Sequence, residues 1–361
     1  MNHYKNTKSI KVGLFLLVAL MFGTTAVQSQ DVHFSQFYAS PLTLNPALTG
    51  SFNGFYRISG IYRNQWPGLA SNNPTFSTPS GSLDFSLLKE KIKHGALGVG
   101  VAFINDMQNG KTFNQNQILG SVAYNMGFGP RGLFQLGIGF QGGVSMTKMD
   151  FSKYQFGASY DANMNYDPNL NPESYNTGTS IKGVFNTGIF LKSEFYKGIR
   201  FHVGYSFNNA TNFKQEFLNS NTDTYRLPFR HTLHGGFEFD ISDKGVIIPG
   251  VMFQRQAKSM ETNFGITGGI HIVKDPAKRA SLFLGLWNRM NVGNYSLIPK
   301  VGFEVRGFKA GFSYDVHLTK QYGDHRNNGG TLPQGLELSL SYVGKLFSAK
   351  PDDNFLYNPR Y

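Results

Sequence analysis

From about Phe55 to Phe347 the chain repeats short runs in which apolar residues alternate with small or polar ones. The run at 336–342 (LELSLSY) places three Leu and a Tyr on one face and Glu, Ser and Ser on the other. Such alternation predicts strands with one apolar and one wet side. Its repetition along most of the chain, behind a secretion signal, predicts an all-β fold, a transmembrane antiparallel β-barrel.

The first thirty residues have the composition of an export signal. Three Lys precede an apolar stretch at 12–22, and a polar stretch ending at Ser29 follows. An apolar core of this length with small residues before the cut is typical of a cleaved signal peptide. We therefore assign residues 1–29 to the signal and expect Gln30 to begin the mature chain. No later apolar run approaches the roughly 20 residues of a spanning helix.

Composition agrees with a barrel and limits the partners. The chain has 33 Phe, 18 Tyr and 42 Gly and no Cys, so disulfides are excluded. Aromatic girdles and curved, crowded strands use those residue types. The formal net charge is +12, but Lys and Arg are scattered, which argues against nucleic acid as a partner. Outer-membrane lipid or an acidic partner is the better match for this charge.

The alternating runs give a strand count of about fourteen, and twelve if the first runs lie outside the barrel. An even count closes a barrel with both chain ends on one side. The barrel is predicted over 55–347, preceded by a periplasmic lead-in or plug segment at 30–54 and followed by a C-terminal tail at 348–361. The predicted strands are 55–65, 78–87, 96–105, 115–126, 132–145, 182–192, 199–208, 229–239, 246–255, 262–273, 280–290, 296–306, 308–317 and 334–344.

Three long polar stretches, at 147–180, 209–227 and 320–333, are predicted to be extracellular loops, where binding usually resides. The lead-in is open to two interpretations, a plug for the lumen or a docking peptide for periplasmic machinery. Aromatic burial dominates contacts of either kind. The candidate contact residues are Phe34, Phe37, Tyr38, Asn45, Pro46 and Trp66.

The alternation also predicts which charged residues face the lumen. Charge on the lipid side costs roughly 2–4 kcal/mol for Arg or Lys near the midplane, so these groups should point inward and pair. The predicted lumen network consists of Arg200, His202, His234, Glu238, Glu304, Arg306, Lys309, Asp315 and Glu337. A structural network of ion pairs is the first interpretation, and a solute-selective constriction is the second.

The sequence gives little support for catalysis or for a cofactor. It has no G-x-S-x-G or H-E-x-x-H motif and no zinc-ligand spacing, and its nine His are dispersed. The Asp161-x-Asn163-x-Asn165-x-Asp167 stretch is similar to a calcium loop but lacks the turn Gly and the distant Glu. We predict no catalytic, cofactor-binding or metal-binding residues. A barrel hydrolase would have to use His202, His234 or His317.

The start of the mature chain resembles one family. The blocks 31–37 (DVHFSQF), 40–42 (SPL) and 44–50 (LNPALTG), followed by 62–66 (YRNQW), are similar to the opening of the PorP/SprF family. The run at 336–342 and the ending NPRY resemble its closing part. Many members end in Cys-Pro-Arg-Phe, so Asn358 and Tyr361 depart from the pattern.

This resemblance implies an outer-membrane component of the type IX secretion and gliding machinery. It further implies support for export or cell-surface anchoring of a specific secreted, adhesin-like partner through that partner's C-terminal secretion domain. Other secretion-machinery components are implied partners, and no catalytic residues come with the family. The alternative function is that of a passive or selective pore for small solutes.

Overall fold

A computed structural model of the chain places fourteen strands in one closed sheet. No helix in the part it describes is long and apolar enough to cross a membrane. The signal, the tail, Trp66 and most of the three long loops lie outside the described residues. The described residues are 32–65, 76–89, 95–108, 112–129, 133–150, 160, 161, 163, 165, 167, 178–211, 214–215, 225–242, 244–273, 280–291, 294–318 and 334–345.

The predicted antiparallel barrel of fourteen strands is confirmed. Two further short strands, at Lys214–Gln215 and Tyr225–Arg226, form a separate hairpin. The strands are β1 Tyr56–Gln65, β2 Phe76–Leu87, β3 Gly95–Gln108, β4 Phe113–Phe128, β5 Phe134–Met149, β6 Gly178–Tyr196, β7 Ile199–Asn208, β8 Lys214–Gln215, β9 Tyr225–Arg226, β10 Arg230–Ser242, β11 Gly245–Gln256, β12 Ser259–Val273, β13 Ala280–Asn291, β14 Asn294–Val305, β15 Phe308–His317 and β16 Gln334–Gly344.

The barrel closes through β1 and β16, whose ladder runs from Tyr56 opposite Gly344 to Gln65 opposite Gly335. Closure removes the free sheet edges that would otherwise leave backbone groups unpaired in a membrane. Alternate side chains on each strand then face out or in. The outer face carries exposed large apolar residues such as Ile118, Leu284 and Leu340, while the inner face carries buried polar ones.

The two ends of the barrel differ. At the end where β1 begins and β16 ends, which we call the turn end, short connections such as 197–198 and 306–307 join the strands. The connections 150–177, 209–229 and 318–333 leave from the opposite end, which we call the loop end. Arg306 and Gly307 both have positive φ, at 47° and 85°. That geometry is typical of a type I′ hairpin turn, in which the second position suits Gly.

Residues 32–54, the N-terminal segment, lie in the lumen. The segment starts beside the loop-end parts of β10, β12 and β13 and descends to the turn end, where it joins β1. It contains an α-helix at Pro41–Leu44 and 3-10 helices at Phe37–Ala39 and Pro46–Leu48. The sequence predicted a periplasmic lead-in or plug segment at 30–54, and which end of the barrel is periplasmic is considered below. The first described residues, Val32 and His33, lie at the loop end.

Candidate functional site

Inward-facing glycines make room for the N-terminal segment on one side of the lumen. A Cβ added at Gly139 would collide with the backbone of Pro46 and Ala47, and one at Gly188 would collide with the Asn45 carboxamide. These positions share the absence of a side chain where backbone or side-chain atoms of the N-terminal segment approach. We call the set the glycine floor. It consists of Gly98, Gly100, Gly137, Gly139, Gly188 and Gly204.

Aromatic side chains of the segment fill the middle of the lumen. Phe37 is 4% exposed and meets the Trp287 ring edge-on at a centroid distance of 5.4 Å. Tyr38, 6% exposed, packs with Phe37 and with the buried Phe190 in one apolar cluster. Phe34 is also buried. Burial of this size contributes roughly 1.5–3 kcal/mol for each large apolar side chain, so the segment is held by core-like packing.

A chain of hydrogen bonds links the segment to β6, β7 and β10. Asn45 Oδ1 accepts the Ala47 N–H at 2.9 Å, which turns Nδ2 toward the Ile189 carbonyl and His234 Nε2, at 2.9 and 3.1 Å. With Nε2 accepting, neutral His234 carries its proton on Nδ1 and donates to Tyr38 Oη at 3.2 Å. The Tyr38 hydroxyl then donates to His202 Nε2 at 2.7 Å. Asn45 and Tyr38 thereby fix the tautomers of both imidazoles.

Replacing Tyr38 by Phe should loosen this arrangement without changing the volume of the ring. Two buried imidazole nitrogens lose their partner, and a buried polar group left unpaired costs about 1–3 kcal/mol. We expect a corresponding loss in the free energy of unfolding, measured in urea on the barrel in lipid vesicles by tryptophan fluorescence. The matched control is Tyr205→Phe, since Tyr205 makes its contact with His231 on the outer face. A loss no larger than that of the control would contradict the role assigned to Tyr38.

A second polar cluster binds the start of the segment to the wall opposite the glycine floor. The Glu337 carboxylate accepts the backbone N–H groups of Ser35 and Gln36 at 2.7 and 2.8 Å. Asp315 accepts the Ser35 hydroxyl at 3.0 Å, and Lys300 donates to the Ser35 carbonyl at 2.6 Å. All three polar groups of Ser35 are thus bonded to strands β14, β15 and β16.

Two guanidinium groups neutralise these carboxylates. Arg63 donates to Glu337 Oε1 at 2.6 Å and to Asp315 Oδ2 at 3.2 Å, and Arg289 lies 2.6 Å from Asp315. Their side chains are at most 6% exposed. Lys300 also lies 4.1 Å from the Trp287 ring centroid, a cation–π contact. We call the set Arg63, Arg289, Lys300, Asp315 and Glu337 the polar clamp.

Further ion pairs line the turn end. Arg57 and Asp84, both fully buried, form a bidentate pair, and Asp84 also accepts the Gly50 N–H at 2.8 Å. On the β7–β10 wall, Arg200 bonds both Glu238 and the more exposed Asp240. A buried pair of this kind costs 3–5 kcal/mol when one partner is removed. The end of the segment is bonded to this pair, because Arg57 also donates to the Leu48 carbonyl at 3.0 Å.

The structure brings together most of the predicted lumen residues but divides them among several clusters. His202 and His234 contact Tyr38, while Asp315 and Glu337 belong to the polar clamp. Arg200 pairs with Glu238, and Lys309 lies 3.9 Å from Glu304. The prediction for Arg306 is wrong, because it lies exposed in the β14–β15 turn, where strand alternation has ended. Trp66 lies outside the described residues.

Several important lumen residues were missed. Arg57 and Arg63 stand at inward positions of β1, and their signal was present in the alternation of 56–63 (YRISGIYR). Arg289 was visible in the same way, as a single cation within an apolar run. The glycine floor gave no such signal, because a glycine fits either face of a strand.

The loop and lumen groups that the sequence analysis considered for chemistry differ in their contacts. Asp161 Oδ1 accepts the backbone N–H groups of Asn163 and Asn165 at 2.8 Å, and hydrogen bonds from Asn165 lower the pKa of Asp161. In the described part of the chain, no three His, Asp or Glu side chains are placed to hold a metal ion. Ser296 lies 3.0 Å from His317 Nδ1, but Nε2 of that ring meets no hydrogen-bond partner among the described residues.

The solved structures that partly match this chain include the following three. The toluene transporter TbuX of Ralstonia pickettii is 11% identical with a TM-score of 0.48, over 86% of this chain and 94% of that one. The Pseudomonas putida toluene transporter TodX is 8% identical with a TM-score of 0.49, over 88% and 99%. A Pseudomonas aeruginosa FadL homologue is 11% identical with a TM-score of 0.44, over 85% and 94%. No curated protein sequence matches this chain.

Comparison with protein families gives a match over residues 26–342 to the type IX secretion system membrane protein PorP/SprF. The match takes in the N-terminal segment and nearly the whole barrel, including the glycine floor and the polar clamp. The family and the barrel fold both fit an outer-membrane location. The chain belongs to the PorP/SprF family of type IX secretion system membrane proteins.

Proposed function

We propose that this protein anchors a specific secreted partner at the cell surface, or supports its export, by engaging the partner's C-terminal secretion domain. The observation that carries this proposal is the occupied lumen. Phe37 and Tyr38 fill its centre, and the polar clamp and the Arg57–Asp84 pair hold the segment at both ends. A barrel closed by its own chain offers its ends and loops to partners.

The orientation of the barrel in the membrane follows from the lengths of the connections at its two ends. Outer-membrane barrels carry short turns on the periplasmic side and longer loops outside. We therefore place the turn end in the periplasm and the stretches 147–180, 209–227 and 320–333 at the cell surface, where they contact cargo. Signal cleavage after Ser29 would leave Gln30 as the first residue of the mature chain, two residues before Val32. Catalysis has no part in this proposal.

Gene deletion with complementation tests the proposal. Loss of the protein should release one surface protein into the medium or trap it inside the cell. Complementation with the full chain should restore its position, while a variant lacking 320–333 should insert as a barrel and fail to restore it. An unchanged distribution of every surface protein after deletion would overturn the proposal.

A pore for small solutes is the second candidate, because part of the lumen at the turn end is not filled. Planar-bilayer recording separates the two. The intact protein should show little steady conductance, since the N-terminal segment blocks the lumen. Large, stable steps from the intact protein would favour the pore.

A further inference from the structure

A groove lies on the outer face of the barrel at the turn end, where β10 to β13 present their side chains to lipid. It has a volume of about 460 Å³. That volume lies within the roughly 300–1,000 Å³ of ligand sites. We call it the outer groove, and the residues that matter for its chemistry are Ile241, Lys244, Gly245, Gly268, Ile270 and Leu284.

Two outward-facing glycines create the outer groove. Gly268 lies between Ile247 of β11 and Leu284 of β13 in the two ladders. Gly245 lies opposite Ile270. For a Cβ added at Gly268, the nearest atom beyond its chain neighbours is the Leu284 carbonyl at 4.0 Å, so the strand is uncovered there. The flanking side chains project into lipid, because Ile270 is 63% exposed and Leu284 is 61% exposed.

The rim of the outer groove at the turn end is polar. Lys244 lies exposed in the β10–β11 turn, and its ammonium group makes no hydrogen bond or ion pair with the part of the chain that the structure describes. The Ser242 hydroxyl accepts the Lys244 backbone N–H at 3.2 Å and holds the turn. A cation beside an apolar groove is complementary to a lipid, which carries a phosphate beside its acyl chains.

The depth of the outer groove fits the boundary between lipid headgroups and acyl chains. Aromatic side chains mark that boundary on outer-membrane barrels. Phe239 faces outward opposite Ile247, on one side of the groove. Phe303 faces outward opposite Leu282, on the other side. The apolar part of the groove therefore begins at the aromatic level, and Lys244 lies beyond that level, where headgroups are.

We propose that the outer groove binds one phospholipid of the periplasmic leaflet, with the phosphate at Lys244 and one acyl chain over Gly245 and Gly268. The leaflet rests on the orientation proposed above, whereas the contacts do not depend on the cargo. An acyl chain gains no hydrophobic free energy by moving from lipid into the groove, so its fit depends on van der Waals packing. The ion pair with Lys244 holds the headgroup.

Photolabelling of the full-length protein in maltoside micelles, which contain no phosphate, tests the proposal. The probe is phosphatidylglycerol with a diazirine in one acyl chain, and mass spectrometry identifies the labelled peptides. The reference is the turn end of β4 and β5, where Phe128 and Phe134 stack at a centroid distance of 5.7 Å. We expect about fivefold more label on the turn-end parts of β10 to β13, as for one exposed ion pair. Equal label at the two places would overturn the proposal.

Two variants, each with a matched control, separate the acyl chain from the headgroup. Gly268→Leu fills the groove and should lower its label to the reference level. Gly142→Leu, at another outward glycine, should not. Lys244→Gln should lower the label about fivefold, while Lys197→Gln, in the β6–β7 turn at the same end, should leave it unchanged. Heat-modified mobility on gels would show that all four variants are folded. Label that survives both Gly268→Leu and Lys244→Gln would contradict the site.

A diacylglycerol probe with the same acyl chains and no phosphate tests the headgroup contact directly. It should label the groove no more than the reference, and Lys244→Gln should not change that label. Equal label from the two probes would overturn the proposal. So would label that appears in the purified protein but is blocked in isolated outer membranes, because another membrane protein would then cover the groove.

Discussion

A Gly139→Val substitution should displace the N-terminal segment from the glycine floor and open the lumen to ions. Gly139 faces the backbone of Pro46 and Ala47, and a Cβ there collides with both. Overpacking costs about 1–3 kcal/mol where side chains can adjust. At Gly139 the added side chain would meet backbone atoms of Pro46 and Ala47, which cannot move aside as a side chain can. We therefore expect a loss in the free energy of unfolding at or above that range.

Gly142 provides the matched control on the same strand. It faces outward, and the nearest atom to an added Cβ lies 3.9 Å away, at the Val184 carbonyl. Gly142→Val should therefore fold and stay closed. In planar bilayers, the Gly139 variant should show steady conductance steps, while the control and the parent protein should not.

Two further measurements make the result interpretable. Protease added to the Gly139 variant should cut between residues 32 and 50, a stretch that is buried in the parent. Deletion of residues 32–50 should give the largest conductance, since it removes the obstruction itself. A folded Gly139 variant that remains closed and protected would show that the glycine floor does not determine docking.

The sequence was sufficient to predict the barrel because alternation is a local signal. Every predicted strand corresponds to an observed one, and the clearest differences are in length. β6 extends over Gly178–Tyr196, whereas the prediction covered 182–192. Its added ends, 178–181 (GTSI) and 193–196 (SEFY), mix small and polar residues with a few apolar ones, so the apolar alternation is weak there.

The path of the N-terminal segment could not be predicted, because it depends on contacts between distant parts of the chain. Asn45 meets His234 across 189 positions, and Ser35 meets Glu337 across 302. Aromatic anchors at Phe37 and Tyr38 were visible in the sequence, but not which wall they contact. That choice is made by the glycines of β3, β5, β6 and β7, whose lack of side chains becomes informative only in three dimensions.

Removing one carboxylate from the polar clamp should be the most destabilising single change at the loop end of the lumen. Asp315→Asn keeps the shape of the side chain but leaves Arg289 without the carboxylate 2.6 Å away. Breaking a buried ion pair by removing one partner costs about 3–5 kcal/mol, because the remaining charge is uncompensated. We expect that loss in urea unfolding in lipid vesicles, together with release of Ser35 and a shift in tryptophan fluorescence.

Glu304→Gln is the control, since Glu304 is about one-fifth exposed and lies 3.9 Å from Lys309. Such partly exposed pairs contribute about 0–1 kcal/mol. Adding Arg289→Met to Asp315→Asn should recover part of the loss, because it removes the charge that the first change left unpaired. If the double variant is no more stable than Asp315→Asn alone, or if Asp315→Asn costs no more than the control, then apolar packing on the glycine floor holds the segment and the clamp does not.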